Sequence, residues 1–498
     1  MTHRALTFLV AVGFAGGLHG CHPYDCEEHA TCHITCDPAA GSMDEIIRGC
    51  AGVFVSNSSG SDENSGAHDA PVSTLGKALS LAQPMSGNIY VCAEVFTESL
   101  TIPSGVSLWG GVDCAAGWAY VGGNKKTTIA PEAGSIPLRF AAGTEKATVA
   151  DVHAEAANAS EAGASSIAAL VNAGSVVEIL RSELVAGNGA IGAPGGAGGV
   201  VPAKNGAAGA PGSAACSSST VPGGAATINT CRGGISVGGQ GGHGSPTAGS
   251  PGTNGGPEPV PNQAGSGLGG DGGTSAAACT YGAPGVAGTA GEHGKGAAGP
   301  GRITEDGWEG EPGQDGVDGR PGQGGGGGGG SLAGAMFCGA GPQGGASGGS
   351  GGAGGCGGSG GKGGGYGGGS IGLLTLSGNV TIRATSIKTG RGGVGGNGGL
   401  GQAGGLGGPG GEPGAGVALS PWGCYGGFGG DGGLGGHGGG GLGGPSIGVL
   451  HAAGQQPTLA GVFIRTDAAG KGGLGGNPSV PGSAGGDGAS HDVAGFPP

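Results

Sequence analysis

Ser166-Ile167-Ala168-Ala169-Leu170, Ser370-Ile371-Gly372-Leu373-Leu374 and Ser446-Ile447-Gly448-Val449-Leu450 are three copies of one short segment. Each is followed at the same offset by a glycine: Gly174, Gly378 or Gly454. A β-rich run comes next, such as Val176 to Val185 or Val380 to Thr389, and a glycine tract then opens at Gly187, Gly390 or Gly470. A repeated strand unit separated by very unequal intervals reads as one solenoid whose loops have been expanded on one face. The fold class expected is therefore all-β, with glycine-rich loops displayed from a scaffold.

Composition bounds the core. With 138 glycines in 498 residues, 4% aromatics and 10% charged residues, no ordinary globular interior is described. Residues 51–186 have a nearly normal composition, with Trp109, Trp118, Phe96 and Phe140, whereas 187–369 and 390–445 are dominated by Gly and Ala. The net charge is −14 and no Lys/Arg cluster exceeds Lys125-Lys126. Nucleic acid is thus excluded as a partner, because neutralising phosphates needs clustered cations. The same deficit argues against electrostatic adhesion to an anionic membrane.

A lipid offers another route to a membrane. Arg4 precedes an apolar run from Ala5 to Phe14 and then Leu18-His19-Gly20-Cys21, too short to span a bilayer, which needs about 20 apolar residues. Residues 1–20 are expected to be a signal peptide, and Leu18 to Cys21 resembles the lipobox of bacterial lipoproteins, whose cysteine is acylated; His19 departs from the usual pattern. That resemblance implies a lipid on Cys21 and an exported chain held at the outer membrane or cell surface. Setting Cys21 aside leaves twelve cysteines, an even number that suits disulfides in an exported chain. Cys92 with Cys114, Cys216 with Cys231, and two among Cys26, Cys32, Cys36 and Cys50 are plausible local pairs. Cys279, Cys338, Cys356 and Cys424 lie inside glycine tracts, with partners left open. Residues 21–50, with His22, His29 and His33 among the cysteines, read as a disulfide tether; zinc is the competing reading, but the spacing matches no CxxC pair.

From Val53 onward, short β-branched runs alternate with turns. Val53-Phe54-Val55, a polar loop through Gly60, Asp62 and Asn64, a helix expected over Thr74–Gln83 with Ser73 or Thr74 as its cap, and runs at Asn88–Cys92, Phe96–Ile102 and Gly105–Gly111 follow one another. This order resembles the amino-terminal part of pectin-lyase-like proteins, which implies a right-handed parallel β-helix with a capping helix over its first coil. The expected organisation is a body of 51–186, further rungs at 370–389 and 446–469, glycine-rich inserts at 187–369 and 390–445, and a glycine-rich tail at 470–498.

Within the tracts the phase is informative. Gly392, Gly395, Gly398, Gly401, Gly404, Gly407 and Gly410 lie three apart, the next residue is usually Gly, and the third place holds Val394, Asn397, Leu400, Ala403, Leu406 and Pro409. Gly426 to Gly444 repeats this with Phe428, Asp431, Leu434 and His437. Three residues per turn is the period of an extended polyproline II helix, so one ridge of side chains would run along a rod and two would be bare. Bare ridges allow lateral N–H to C=O bonds between rods. The tracts resemble PGRS-type regions of bacterial surface proteins and the polyglycine sandwiches of some phage tail adhesins, implying polyglycine II bundles. Entropy favours the opposite expectation of disorder, since ordering glycine costs most. Glycine at every third residue over 307–324 fits collagen in period, but a triple helix needs three chains.

Catalytic constellations are weak. Asp113 and Asp151 stand apart, Glu178, Arg181 and Glu183 read as solvent-facing strand positions, and paired carboxylates for glycoside cleavage are not evident. Gly426 to Asp431 nearly spells a calcium nonapeptide but has no tandem copy; His243, His293 and His437 read as solvated. No cofactor or metal is expected. The function expected is structural or adhesive display from a cell-surface lipoprotein, with Val394, Leu400, Leu406, Phe428 and Leu434 as the surface ridge. Its partners would be the membrane through Cys21, extracellular polysaccharide or neighbouring cells, and further copies of itself. A carbohydrate-binding or polysaccharide-cleaving β-helix using Trp109 or Trp118, and an elastic coat component, remain the alternatives.

Overall fold

A computed structural model describes residues 36–496 apart from 86, 260–262, 334–337, 340 and 418–419. Cys21, Cys26 and Cys32, and with them the expected signal peptide and lipid anchor, lie outside the described residues. The chain is predominantly β, only 4% helical. Three long sheets are parallel but for one short antiparallel strand, Ala119–Tyr120, at the edge of the first. The first sheet runs Val53–Val55, Asn88–Cys92, Ser107–Asp113, Gly143–Ala150, Ser175–Leu180, Asn379–Arg383 and Thr458–Ala460. The second runs Val95–Phe96, Thr127–Ile129, Val152–Ala156, Glu183–Ala186, Ser386–Lys388 and Phe463–Arg465. The third runs Leu100–Ile102, Leu138–Phe140, Ser166–Val171, Ser370–Thr375, Ser446–Ala452 and Ser490–Phe496.

From Asn88 on, the chain visits the three sheets in turn, an arrangement compatible with a parallel β-helix. Ser166, Ser370 and Ser446 are in register, as are Ile167, Ile371 and Ile447. The core lies between the sheets, where Leu108, Val149, Ile179, Ile382, Leu138, Leu373, Leu184 and Ile387 are buried. Space there is tight: a Cβ at Gly372 or Gly448 would collide with Cγ2 of Ile387 or Ile464. Asp151, Arg181, Ala384 and Gly461 each follow the last residue of a first-sheet strand, and all have positive φ, from 43° to 63°. This stacked left-handed bend turns these four coils toward the second sheet.

The helix Leu75–Met85 starts one residue later than expected. Thr74 Oγ1 accepts from Lys77 N–H, and the Glu98 carboxylate accepts from Leu75 and Gly76 N–H, satisfying donors at the helix start. Leu75, Ala78 and Ala82 are buried against the first strands, so the helix covers that end of the core. A second helix, Met43–Gly49, is fixed by a capping box between Ser42 and Glu45.

One boundary is corrected. The expected tail, 470–498, contains a further strand, Ser490–Phe496, with Ser490 in register with Ser446 and His491 opposite Ile447. Histidine at the isoleucine position hid this fourth copy.

Candidate functional site: the glycine segments

Every glycine tract joins the second sheet to the third at one corner, and the repeated serine clamps its ends. Ser370 Oγ donates to Gly187 O (2.6 Å) and accepts from Gly390 N–H (2.9 Å). Ser446 Oγ bonds Thr389 Oγ1 (2.7 Å) and donates to Gly390 O (2.9 Å). Gly187 N–H donates to Ser166 Oγ, and Ser490 Oγ donates to Asp467 O. The exit and the return of each excursion are therefore pinned to the same rung.

Between these ends the chain runs as straight extended rods, joined laterally at every third residue. In the rod 346–368, the N–H groups of Gly349, Gly352, Gly355, Gly358, Gly361, Gly364 and Gly367 donate to carbonyls from Cys424 to Leu442. Ser350, Ala353, Cys356, Lys362, Gly365 and Gly368 donate to carbonyls from Ala210 back to Ala190, on a different rod. Gly348 and Gly351 donate to Gly242 and Gly239 on a third. Where a backbone acceptor is lacking, side chains substitute: Ser236 Oγ, Asp318 Oδ1 and Asp315 Oδ1 accept from Gly354, Gly360 and Gly363. Buried peptide groups are thus paired without any sheet.

Side-chain choice follows the neighbours. A Cβ at Gly355, Gly358, Gly361 or Gly364 would strike the carbonyl oxygen of Gly405, Gln402, Gly399 or Gly396. In the run Gly324–Gly330 every residue would meet an adjacent rod in this way, so no phase can carry a side chain. Along 424–444 the third place holds Phe428, Asp431, Leu434 and His437 where that side is open, but Gly440 and Gly443 where the rod 470–476 lies against it.

The expected ridge has a definite place. Val394, Leu400 and Leu406 are 45%, 57% and 63% exposed on the rod 391–415. Phe428 and Leu434 are 65% and 40% exposed on its antiparallel neighbour, which donates Gly429 N–H to Gly408 O and Gly432 N–H to Gly405 O.

Five disulfides are present among the described residues. Cys36–Cys50 and Cys92–Cys114 are local. The pairing of Cys216 with Cys231 is corrected: Cys216 joins Cys338 and Cys231 joins Cys356, across separations of 122 and 125 residues. The reason is the out-and-back path, since the hairpin of Thr227–Cys231 and Gly234–Gly238 lies against the rod carrying Cys356. Cys279 joins Cys424.

The histidines in the tracts are bonded rather than merely solvated. His437 Nδ1 accepts from Gly401 N–H, His293 Nδ1 from His437 N–H, and His243 Nδ1 from Gly223 N–H. The His293 and His437 rings stack at 4.9 Å. Burial, and then the charge His293 can carry, hold the His437 imidazole below the ordinary histidine range. Asp431 of the near-nonapeptide accepts from Gly407 N–H.

On the β body, Arg181 is corrected from a solvent-facing position. Its guanidinium pairs with the buried Asp151 (2.8 Å) and with Asp37 (2.8 Å), and Tyr120 also donates to Asp151. Glu178 pairs with Lys146, and Glu183 meets His153 at 2.9 Å. Trp109 and Trp118 are 9% and 6% exposed, packed with Phe54 and Tyr90, with their indole N–H groups on Asn88 Oδ1 and His68 O. Neither offers a ring face to a sugar. No family model, curated protein or solved structure matches the chain.

Proposed function

We propose that the protein is an exported, non-enzymatic cell-surface lipoprotein in which a right-handed parallel β-helix carries a bundle of polyglycine II rods and displays the side-chain ridge that they bear. The observation that carries this reading is the bonding of 346–368, whose successive residues donate to three different rods. Such order makes the glycine segments a rigid projection: 391–415 would reach about 75 Å at about 3.1 Å per residue. Five disulfides suit an oxidising compartment. Among the described residues no helix is long and apolar enough to cross a membrane, so a lipid on Cys21 is the attachment that the reading requires. Membrane fractionation of cells tests the anchor: Cys21→Ala should release the protein, and a variant that stays membrane-bound refutes it. Surface biotinylation of intact cells tests display, which fails if rod residues such as Lys362 and Lys471 are labelled only after lysis.

A further inference from the structure

The lane beside rods 391–415 and 424–444 is only half filled. Toward the β body it holds 470–476, which accepts from Gly395 and Gly398 and donates to Gly444, Gly441 and Gly438, while Ala468 just before it accepts from Gly392. Beyond Gly476 the lane continues with no rod in it among the described residues. Here the third-place side chains at the far end of 424–444 are aromatic: Trp422, Tyr425 and Phe428, exposed by 61%, 44% and 65%. Tyr281, 68% exposed on the next rod, meets Tyr425 edge to face at 5.6 Å. In a chain with 4% aromatics, this leaves four exposed rings together at the bundle's distal end.

The setting is rigid and polar. Cys279–Cys424 ties the two aromatic rods together, and three residues of extended chain space successive rings by about 9 Å. The Glu412 carboxylate near Tyr425 raises the phenol above its ordinary pKa. In the row of N–H groups facing the lane, His437 and Asp431 accept from Gly401 and Gly407. Those of Gly404 and Gly410, and the carbonyls of Gly429 and Gly432, meet no partner among the described residues and are half-buried.

We propose that this trough binds an extended, uncharged oligosaccharide, the pyranose faces lying on Trp422, Tyr425 and Phe428 and the hydroxyls on Glu412 and the free glycine peptide groups. A further glycine rod does not fit, because the rings project where Gly440 and Gly443 had to be bare for 470–476. Anionic lipid or polyuronate is disfavoured, since the charged groups lining the lane, Glu412 and Asp431, are acidic. Rings on pre-ordered backbone bind at little entropic cost. The inference deepens the display reading and rests on it for what is displayed.

Titration of purified full-length protein by calorimetry with cellohexaose, mannohexaose and chitohexaose, with hexagalacturonate as the charged counterpart, tests it. Saturable binding of at least one neutral hexamer is expected, weakened roughly tenfold by Trp422→Ala or Tyr425→Ala and retained by Phe428→Tyr. Unfolding midpoints of the variants should match the parent. Absence of binding by all three neutral hexamers, or preference for hexagalacturonate, overturns the proposal. So does self-association in sedimentation that the same variants abolish, because the trough would then be a contact between copies. Anchoring is read separately by fractionation, so either idea can fail alone.

Discussion

Two glycines on one rod separate ordered packing from mere composition. A Cβ at Gly198 would stand 2.1 Å from Ser359 O, whereas one at Gly196 meets no heavy atom within 4 Å. Relieving the first requires the rod to move by about 1 Å, which breaks the neighbouring bonds Gly195 N–H to Asn397 O, Gly198 N–H to Leu400 O and Lys362 N–H to Gly196 O. At about 1 kcal/mol per bond that is about 3 kcal/mol. Alanine also lowers unfolded-state entropy, returning about 0.4 to 1 kcal/mol. Gly198→Ala should therefore destabilise by about 2 kcal/mol, and Gly196→Ala should be neutral or stabilise slightly. Guanidinium unfolding gives the difference, and hydrogen exchange at 192–198 should show protection lost only in the first variant. Equal shifts for the two would mean that the rods are not packed as described.

Other perturbations probe different contacts. Mutating Cys231 and Cys356 together to Ser should cost about 2 to 4 kcal/mol by freeing a long loop, seen as a lower denaturation midpoint; peptide mapping without reduction should recover Cys216 with Cys338 and not with Cys231. Arg181→Met leaves the buried Asp151 without a counter-charge, held only by the Tyr120 hydroxyl, and should destabilise by about 3 kcal/mol, whereas Lys146→Met, at an exposed pair, should cost less than about 1 kcal/mol. Because the His437 pKa is lowered in the folded state, the unfolded chain binds more protons as pH falls below about 6.5, so stability should drop there. Exchange protection at Gly401 should fall over the same window, and His437→Leu should flatten the pH dependence.

Much of the scaffold was legible because its repeat is local. A serine, an isoleucine and a leucine at fixed offsets mark one strand of the third sheet, and Ser370 and Ser446 serve both as markers and as clamps. Ser490 escaped because His491 replaces the apolar residue, and at the last coil that side chain faces solvent. The period of three in the tracts signalled the ridge. What it did not disclose was which rods are neighbours, and the partners of Cys216 and Cys231 depend on that order. The glycine content held an unread clue: Gly440 and Gly443 break the ridge of 424–444 because another rod covers them. The buried places of Trp109 and Trp118 depend on contacts with Phe54 and Tyr90, from other coils, which no spacing encodes.

The serine clamp at the corner also sets an arithmetic of growth. Since an excursion must come home to the rung it left, rods can be added only as an outgoing and a returning partner, so each loop contributes an even number of them. Within such a pair, residues can be gained or lost in threes on both arms without rotating any face out of phase. The bundle's reach is thus a ruler whose graduations are triplets, and lengthening one hairpin should move its tip outward while leaving the coils beneath untouched.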